Sequence, residues 1–286
     1  MANLKEIRNR ISSVSSTMQI TSAMKMVSAA KLKKAQDAIT AMRPYADKLT
    51  ELLQGLSASM ESDSSSAYAD NRTVKKVLVV AITSNRGLCG AFNTNILKQS
   101  VNLAENVHSG KEVDFLAIGK KANDYLGKRY KVIANHSKVY EDLTFDNVAE
   151  IAESLMELFR EGSYDRIEIV YNKFKNAATQ IVMTEQFLPI VPMAGGSSVS
   201  ADYTFEPSKA EIVEQLIPKS LKTQLYKGIR DSFASEHGAR MTAMHKATDN
   251  ATELRDQLKL TYNKARQAAI TNEILEIVGG AEALNN

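Results

Sequence analysis

The sequence predicts an α/β fold with long helices: an antiparallel two-helix coiled coil from the N- and C-terminal segments, plus a doubly wound, Rossmann-like α/β domain. Three observations predict it. Apolar residues recur every three to four positions near both ends of the 286-residue chain, short β-branched runs alternate with helical patterns between them, and polar linkers separate these parts. We assign residues 1–57 to an N-terminal coiled-coil helix, 73–191 to the α/β domain and 208–286 to a C-terminal coiled-coil helix.

The N-terminal helix carries a heptad stripe from Leu4 to Leu56 that is apolar except in one turn. Because the polar turn has a second apolar line beside it, we expect the helix to change packing partner there. Pro44 removes a backbone donor and is expected to bend the helix rather than end it, since the pattern resumes afterwards. The polar positions are Thr21, Lys25 and Ser28, and the neighbouring apolar line is Ile20, Met24 and Val27.

The C-terminal helix has a second seam, in which nine positions from Met241 to Ala269 average 3.5 residues apart. The helical pattern starts upstream, with Ser208 as the predicted N-cap, and Pro218, Gly228 and Gly238 are expected to soften it locally. Two long amphipathic helices in one chain bury their stripes most economically against each other. A chain that runs out and returns makes them antiparallel.

The middle of the chain alternates strand-like and helical patterns. The strand-like runs are short, apolar and β-branched, which is typical of parallel strands buried on both faces. Alternation of strand and helix predicts a doubly wound sheet, and a further run before Pro189 predicts an edge strand. The predicted strands are 77–82, 113–118, 167–170 and the edge strand 181–187, and the predicted helices are 94–107, 120–130 and 147–160.

The composition excludes several classes of protein. With 36 basic and 33 acidic residues, the net charge of +3 excludes a strongly basic nucleic-acid binder or an acidic disordered chain. Cys89 is the sole cysteine, which excludes an internal disulfide framework and fits a reducing compartment. No apolar run approaches the roughly 18 residues of a membrane span, so we expect a soluble, unexported protein. Arg8 and Arg10 could belong to an organelle transit peptide, but Glu6 and the unbroken heptad stripe argue against removal of this segment.

The charge is distributed unevenly: +5 over residues 1–57, −3 over 58–207 and +1 over 208–286. The basic turn around Lys31, Lys33 and Lys34 is interpreted as a solvated helix face. If this turn binds a partner, an acidic protein surface is favoured over DNA, because neither aromatic interleaving nor a symmetric dimer arrangement supports nucleic-acid recognition.

Residues Ser84 to Gly90 follow the first predicted strand, where a phosphate-binding loop would lie. They lack both the G-x-G-x-x-G pattern and the Lys-Ser/Thr ending of a P-loop, so we interpret them as a tight turn in which Gly87 and Gly90 relieve backbone crowding. Cys89 is interpreted as a small buried thiol rather than a nucleophile. The four histidines lack metal-ligand spacing, and no nucleophile, base and orienter can be traced. We therefore predict no catalytic residue, no metal and no cofactor.

The last helix presents apolar residues on nearly every face, among them Ile270, Ile274, Leu275, Ile277 and Val278. A two-helix rod covers only one stripe of each helix. We therefore expect this segment to lie inside a larger assembly.

Three motifs resemble the gamma subunits of F-type ATP synthases, and the resemblance covers essentially the whole chain. The third is the most specific, because it fixes apolar, acidic and small residues over nearly twenty positions. The motifs are Ile20-Thr-Ser-Ala-Met-Lys-Met-Val27 followed by Lys31, Arg86-Gly-Leu-Cys-Gly90, and Asn263 to Ala281.

The resemblance implies a non-catalytic central rotor shaft of the bacterial type. Such a shaft would turn inside three alpha and three beta subunits. It would couple rotation of a membrane proteolipid ring to conformational change at the three catalytic beta-subunit sites of a proton-translocating ATP synthase. It further implies a peripheral location at the cytoplasmic face of the plasma membrane, the mitochondrial matrix being the alternative, with no nucleic acid and no direct small-molecule ligand.

The resemblance also implies roles for individual residues, which we state as expectations. Met24 and Lys25 would face an acidic segment of a beta subunit, Arg266 and Gln267 would contact a beta-subunit loop, and the apolar residues from 270 onwards would turn in a sleeve. Tyr203, Phe205 and Glu206 match the foot near the epsilon subunit and the proteolipid ring, and Arg86, Gly87 and Gly90 form a structural loop. Asn85 departs from the family, because many relatives carry an acid there, which puts a charge contact of that loop in doubt.

Two other classes of function remain open at this point. One is an α/β nucleotide-binding enzyme with a helical dimerisation arm, which requires a ligand site near residues 84–90. The other is a coiled-coil scaffold or basic-helix DNA binder, which requires binding with a steep salt dependence.

Overall fold

The computed structural model describes residues 4–57, 68, 72–190 and 209–284. A five-residue π-helical turn, Leu103–Val107, lies between the second helix and second strand, and a 3-10 turn, Ser137–Tyr140, follows the third strand. In chain order the elements are α1 (Leu4–Ser57), β1 (Lys76–Ile82), α2 (Phe92–Asn102), β2 (Glu112–Ile118), α3 (Lys120–Leu126), β3 (Val132–Asn135), α4 (Phe145–Arg160), β4 (Arg166–Phe174), β5 (Gln180–Leu188) and α5 (Lys209–Leu284).

The chain divides into two compact units, which we call the helical unit (Met1–Ser28 with Met241–Asn286) and the α/β unit (Ala29–Arg240). Both long helices contribute to both units. The helical unit contains the start of α1 and the end of α5, and the α/β unit contains their remaining parts together with the sheet.

In the helical unit, α1 and α5 run antiparallel. The Arg8 guanidinium donates to the Tyr262 hydroxyl at 2.8 Å, and the Thr248 hydroxyl donates to that of Thr21 at 2.8 Å. Residues later in α1 therefore contact residues earlier in α5. The predicted antiparallel pairing of the chain ends is confirmed.

In the polar turn of α1, the polar residues of the heptad stripe are buried and the neighbouring apolar line is exposed. Thr21 and Ser28 are only 8% and 3% exposed, whereas Ile20 and Val27 are 60% and 57% exposed. The predicted change of packing partner is therefore wrong in this unit. Burial is tolerated because each hydroxyl donates to a carbonyl of its own helix, Ser28 to Met24 at 2.7 Å for example.

Helix α5 is continuous from Lys209 to Leu284, although Pro218 lies inside it, and Pro44 likewise lies inside α1. Neither Gly228 nor Gly238 interrupts the helix, and the softening expected at these positions stays a prediction. Gly238 permits close packing, since a Cβ built there would lie 3.2 Å from the Cα of Ala177. The predicted N-cap Ser208 and the linker residues 192–200 lie outside the described residues.

The sheet has the strand order β3-β2-β1-β4-β5. The first four strands are parallel and β5 pairs antiparallel with β4. From β1 the chain moves outward through β2 and β3, then returns to place β4 on the other side of β1. The predicted doubly wound topology with an edge strand at 181–187 is confirmed.

Strand β1 supplies the centre of the core, and its residues 77–82 are completely buried. Alternate side chains enter two clusters. Leu78, Val80 and Ile82 pack with α4 and the first part of α5, and Val77, Val79 and Ala81 pack with α2 and α3. Burial on both faces explains the uninterrupted apolar run in the sequence.

The fourth parallel strand, β3, was not predicted. It has four residues, three of them half-buried and one exposed, so it lacks the long apolar run that marks β1 and β2. The sheet recruits it through backbone pairing with β2, in which a register shift occurs between Phe115 and Leu116.

Candidate functional site

The loop between β1 and α2 lies at the carboxyl edge of the parallel sheet, where ligands bind in many doubly wound folds. Its left-handed residues are Leu88 (φ +62°) and Gly90 (φ +60°). Gly87 needs no such freedom: its φ is not positive, and a Cβ there would meet no atom within 4 Å. The expectation that Gly87 relieves crowding is therefore wrong, and the strain lies at Leu88, whose side chain is 67% exposed.

Polar side chains inside the loop fix its shape. The Ser84 hydroxyl donates to the carbonyl oxygen of Arg86 at 2.6 Å, and its backbone N–H donates to Asn93 Oδ1 at 2.9 Å. Asn93 Nδ2 donates to the Cys89 sulfur at 3.2 Å. Cys89 is 1% exposed, and burial raises the pKa of its thiol. The interpretation of Cys89 as a buried thiol is confirmed.

Both the nitrogen and the oxygen of the Asn85 side-chain amide form hydrogen bonds. Its Nδ2 donates to the carbonyl oxygen of Ser137 at 2.9 Å, and its Oδ1 accepts the backbone N–H of Lys120 at 2.9 Å. An aspartate could accept from Lys120 but could not donate to Ser137. Asn85 therefore joins the loop to the ends of β2 and β3.

Arg240 anchors the loop to α5. Its guanidinium donates to the Glu236 carboxylate at 2.6 Å and to the carbonyl oxygens of Arg86 and Gly87, each at 3.3 Å. Arg240 and Glu236 are 7% and 8% exposed. Burial raises the pKa of Glu236, and this effect outweighs the opposing attraction of Arg240.

The same part of α5 covers the carboxyl edge of the sheet. The Ser235 hydroxyl donates to the carbonyl oxygen of Asn172 at 3.0 Å, and Ala239 joins the small apolar cluster of Cys89 and Phe92. The close approach of Gly238 to Ala177 completes the contact. Side chains of the protein itself therefore fill the crevice in which a doubly wound fold usually binds a nucleotide.

A half-open cleft of about 580 Å³ lies at the end of β3. Its lining includes His136, Lys138, Asn147 and Glu150. Burial lowers the pKa of His136. The lining mixes charges of both signs and holds no glycine-rich loop.

In the helical unit, Lys25 lies between the buried residues Thr21 and Ser28 in the polar turn of α1. Its Nζ is 3.5 Å from Nδ1 of His245, which in turn lies 3.4 Å from the Asp249 carboxylate. Both α5 partners are more than half exposed. Lys25 and Met24 are partly exposed at this level of α1, so both can reach a partner as well as their neighbours in the seam.

The end of α5 is exposed to an unusual degree in the chain itself. Arg266 and Gln267 are exposed, and in the described structure their side chains form no hydrogen bond or ion pair, although the backbone carbonyl of Gln267 accepts from the Thr271 hydroxyl at 2.9 Å. The apolar residues that follow are about half exposed or more: Ile270 47%, Ile274 54%, Leu275 63%, Ile277 71% and Val278 55%.

The predicted foot residues Tyr203, Phe205 and Glu206 lie outside the described residues. The structure thus gathers Arg86, Gly87 and Gly90 in one loop of the α/β unit, and places Met24, Lys25, Arg266 and Gln267 in the helical unit. The sequence reasoning missed Arg240 and Glu236. The sequence signal for this pair was two opposite charges four residues apart within a helical stretch that has no other Asp, Glu, Lys or Arg from residue 232 to 245.

Over the described ranges, no three side chains of histidine, cysteine, aspartate or glutamate come together in an arrangement that could hold a metal ion. None of the helices, where the structure describes them, combines the length and apolar character needed to cross a bilayer.

Comparison with known proteins identifies the family. The family model described as "ATP synthase" matches residues 3–284. The ATP synthase gamma chain of Flavobacterium psychrophilum is 75% identical over 285 residues, 99% of each chain, and that of Flavobacterium johnsoniae is 74% identical over 286 residues, all of each chain. Among solved structures, a chain of the Euglena gracilis mitochondrial ATP synthase, in an OSCP/F1/c-ring assembly, has a TM-score of 0.70 at 23% identity, covering 98% of this chain and 94% of that one. This chain therefore belongs to the ATP synthase gamma chain family.

Proposed function

We propose that this chain is the rotating, non-catalytic shaft that couples a membrane proteolipid ring to the three catalytic beta subunits of a proton-translocating ATP synthase. In this proposal the helical unit turns inside a ring of three alpha and three beta subunits, the α/β unit stays on the membrane side with the epsilon subunit, and the assembly is peripheral to the cytoplasmic face of a bacterial membrane. The family membership supports the proposal.

The observation that supports this proposal most strongly is the apolar, exposed end of α5. Five large apolar side chains between Ile270 and Val278 are 47–71% exposed in the chain itself. Each would gain on the order of 1–2 kcal/mol on burial, so an enclosing partner would stabilise this segment strongly. Apolar contacts have no preferred direction, so a sleeve around these side chains permits rotation where fixed hydrogen bonds would favour particular angles.

In this proposal the charged side chains of the helical unit make different contacts with the three beta subunits. A single shaft inside a threefold ring cannot touch three beta subunits identically, so Lys25 and Arg266 would be near different subunits at different angles. A contact shifts a beta subunit between two conformations only by the difference in its energy with the two. A tenfold shift in population requires about 1.4 kcal/mol, which one charged hydrogen bond can supply.

The α/β unit carries torque without chemistry in this proposal. The Arg240 anchor and the packed glycine at 238 hold α5 on the sheet. The crevice that a nucleotide would need is filled by the same contacts, so a nucleotide-binding enzyme finds no support in the geometry.

The test is assembly and coupling in a complex with the alpha and beta subunits. We expect the chain to co-purify with six larger nucleotide-binding subunits and to support ATP-driven proton pumping in the presence of the membrane sector. Ile274→Gln with Ile277→Gln should weaken assembly at least tenfold, because two apolar contacts are lost. Thr271→Gln with Asn272→Gln, in the same turns, is the matched control. Failure of the natural chain to assemble with these subunits would refute the proposal.

A further inference from the structure

The amino-terminal edge of the parallel sheet carries five exposed basic side chains, which we call the basic rim. Two lie immediately before strands, two follow α3 and one ends α4, and no carboxylate is within ion-pair distance of any of them in the described part of the chain. Other cations of the edge are neutralised, such as Lys76, whose Nζ is 3.0 Å from the Glu112 carboxylate. The basic rim consists of Lys75, Lys111, Lys128, Arg129 and Arg160.

The topology places these residues side by side. The Glu112 N–H donates to the carbonyl oxygen of Lys75 at 3.0 Å, and the Phe115 N–H donates to that of Lys131 at 2.9 Å. The starts of β3, β2, β1 and β4 therefore lie in one row. At about 4.8 Å per strand the row spans roughly 15 Å, so neighbouring charges lie within one Debye length of each other at physiological salt and their potentials add.

The excess of charge is local to this edge. Residues 72–190 contain 16 basic and 14 acidic residues, a net charge of +2. The carboxylates at this edge that form no ion pair are exposed Glu161 and half-buried Asp165, which accepts the backbone N–H groups of Lys75 and Lys76. The five cations therefore give the rim an excess of +3, and the remainder of this segment is net acidic. The exposed face of α4, with Asp146, Glu150 and Glu157, accounts for part of that difference.

The shape of the basic rim and its residue types favour an extended anionic surface as its binding partner. All five side chains are exposed on a sheet edge, which suits a surface rather than a small ligand enclosed in a pocket. Three of the five are lysines, flexible point charges that need no matched geometry, whereas protein interfaces are depleted in lysine. Clusters of four to eight basic residues near a bilayer are typical of binding to anionic headgroups.

We propose that the basic rim binds the anionic phospholipid headgroups of the membrane that holds the proteolipid ring. The inference rests on the proposed function, which puts the α/β unit on the membrane side. The rim lies at the edge of the sheet opposite the loop that Arg240 contacts. Each cation near an anionic bilayer contributes roughly fivefold to affinity, and the attraction weakens as salt rises.

The test uses the complex of this chain with three alpha and three beta subunits, so that the apolar end of α5 is not free to insert into lipid. Binding is measured by co-sedimentation with vesicles of equal parts phosphatidylglycerol and phosphatidylcholine, and with pure phosphatidylcholine vesicles. The rim variant is Lys75→Gln, Lys128→Gln and Arg129→Gln. The matched control removes the same charge from exposed lysines at the carboxyl edge: Lys138→Gln, Lys173→Gln and Lys175→Gln.

We expect the natural complex to bind the anionic vesicles in preference to the neutral ones. The rim variant should bind them about a hundredfold more weakly, and the control should bind within a fewfold of the natural complex. Equal binding by the two variants, or no preference for anionic vesicles, would overturn the proposal. So would a rim variant that keeps its vesicle binding but no longer binds purified proteolipid ring in detergent, because the occupant is then an acidic protein surface. Failure of the complex to assemble would instead contradict the proposed function.

Discussion

The Arg240 guanidinium donates to the Glu236 carboxylate at 2.6 Å, and both side chains are buried one helical turn apart in α5. The same guanidinium reaches two carbonyl oxygens of the loop after β1. This pair therefore fixes the long helix α5 to the loop at the carboxyl edge of the sheet, and we call it the Arg240 joint.

Arg240→Met should destabilise the chain by about 3–5 kcal/mol, because Glu236 would be left as an unpaired buried charge and the two carbonyls would lose their donor. Thermal or urea unfolding measures the stability. Cys89, now 1% exposed, should react faster with a thiol reagent as the loop loosens.

Two further variants test this assignment. Arg255→Met removes a more exposed pair with Asp256 and should cost at most about 1 kcal/mol. Adding Glu236→Gln to Arg240→Met should recover part of the loss, since the unpaired charge is gone. If Arg240→Met lowers the free energy of unfolding no more than Arg255→Met does, the Arg240 joint does not stabilise the fold.

His237 should make the stability of the chain depend on pH. Its ring is 5% exposed, has no hydrogen-bond partner in the described structure and lies edge-on to Phe233 at 4.5 Å. Burial, with the nearby cations of Arg240 and Lys31, lowers the pKa of His237 to about 4. The buried Glu236 carboxylate lies beside it in the chain and does not reverse this direction.

The sign follows from proton binding. Between pH 6.5 and 4 the unfolded chain binds a proton at this residue and the folded chain does not, so stability falls as the pH falls through this range and levels off below it. The loss contributed by His237 reaches about 3 kcal/mol. Urea unfolding at several pH values should show a smaller slope for His237→Phe, whereas His245→Gln, at an exposed histidine, should keep the natural slope. A slope unchanged by His237→Phe would contradict the assignment.

Gly119 should tolerate no side chain. Its φ is +114°, and a Cβ there would lie 2.1 Å from the carbonyl oxygen of Thr83. Gly119→Ala should therefore cost more than about 3 kcal/mol or prevent folding. Gly87→Ala is the matched control in the neighbouring loop, where a Cβ meets no atom within 4 Å, and should change the free energy of unfolding by less than about 1 kcal/mol. Similar thermal midpoints for the two variants would refute this account of both glycines.

The periodicity of the sequence predicted the long helices, β1, β2, β4 and the edge strand, because each buries a continuous apolar stripe or run. The short strand β3 gave no such signal, since backbone pairing rather than apolar burial places it in the sheet. The Arg240 joint also could not be predicted, because it depends on carbonyl groups about 150 residues away in the sequence, and carbonyls carry no sequence signature. The polar seam at Thr21 misled the prediction, since hydroxyl groups bonded to their own helix pack almost as small apolar groups do.

Lys25 should affect coupling more than folding. Its Nζ is 3.5 Å from an exposed histidine, a contact that contributes less than about 1 kcal/mol. Lys25→Glu should therefore leave the thermal midpoint of the chain within a few degrees while lowering the ratio of proton pumping to ATP hydrolysis in the reconstituted enzyme. Lys25→Arg keeps the charge and should restore most of the coupling. Collapse of the fold on Lys25→Glu would make this residue part of the core instead.

Arg266 gives the most direct test of a contact between this chain and its surroundings. Its side chain is exposed and forms no ion pair in the described structure, so Arg266→Ala should change the stability of the chain by less than about 0.5 kcal/mol. If a beta-subunit loop accepts its hydrogen bonds in the complex, the same substitution should cost about 1.5–3 kcal/mol at that contact, because charged hydrogen bonds are the stronger kind. ATP synthesis and assembly should then fall about tenfold or more, whereas Lys264→Ala, two residues away and also exposed, should alter them little. Synthesis and assembly unchanged by Arg266→Ala would show that the helix passes this level without a specific contact, and would leave the apolar residues after it to carry the interaction alone.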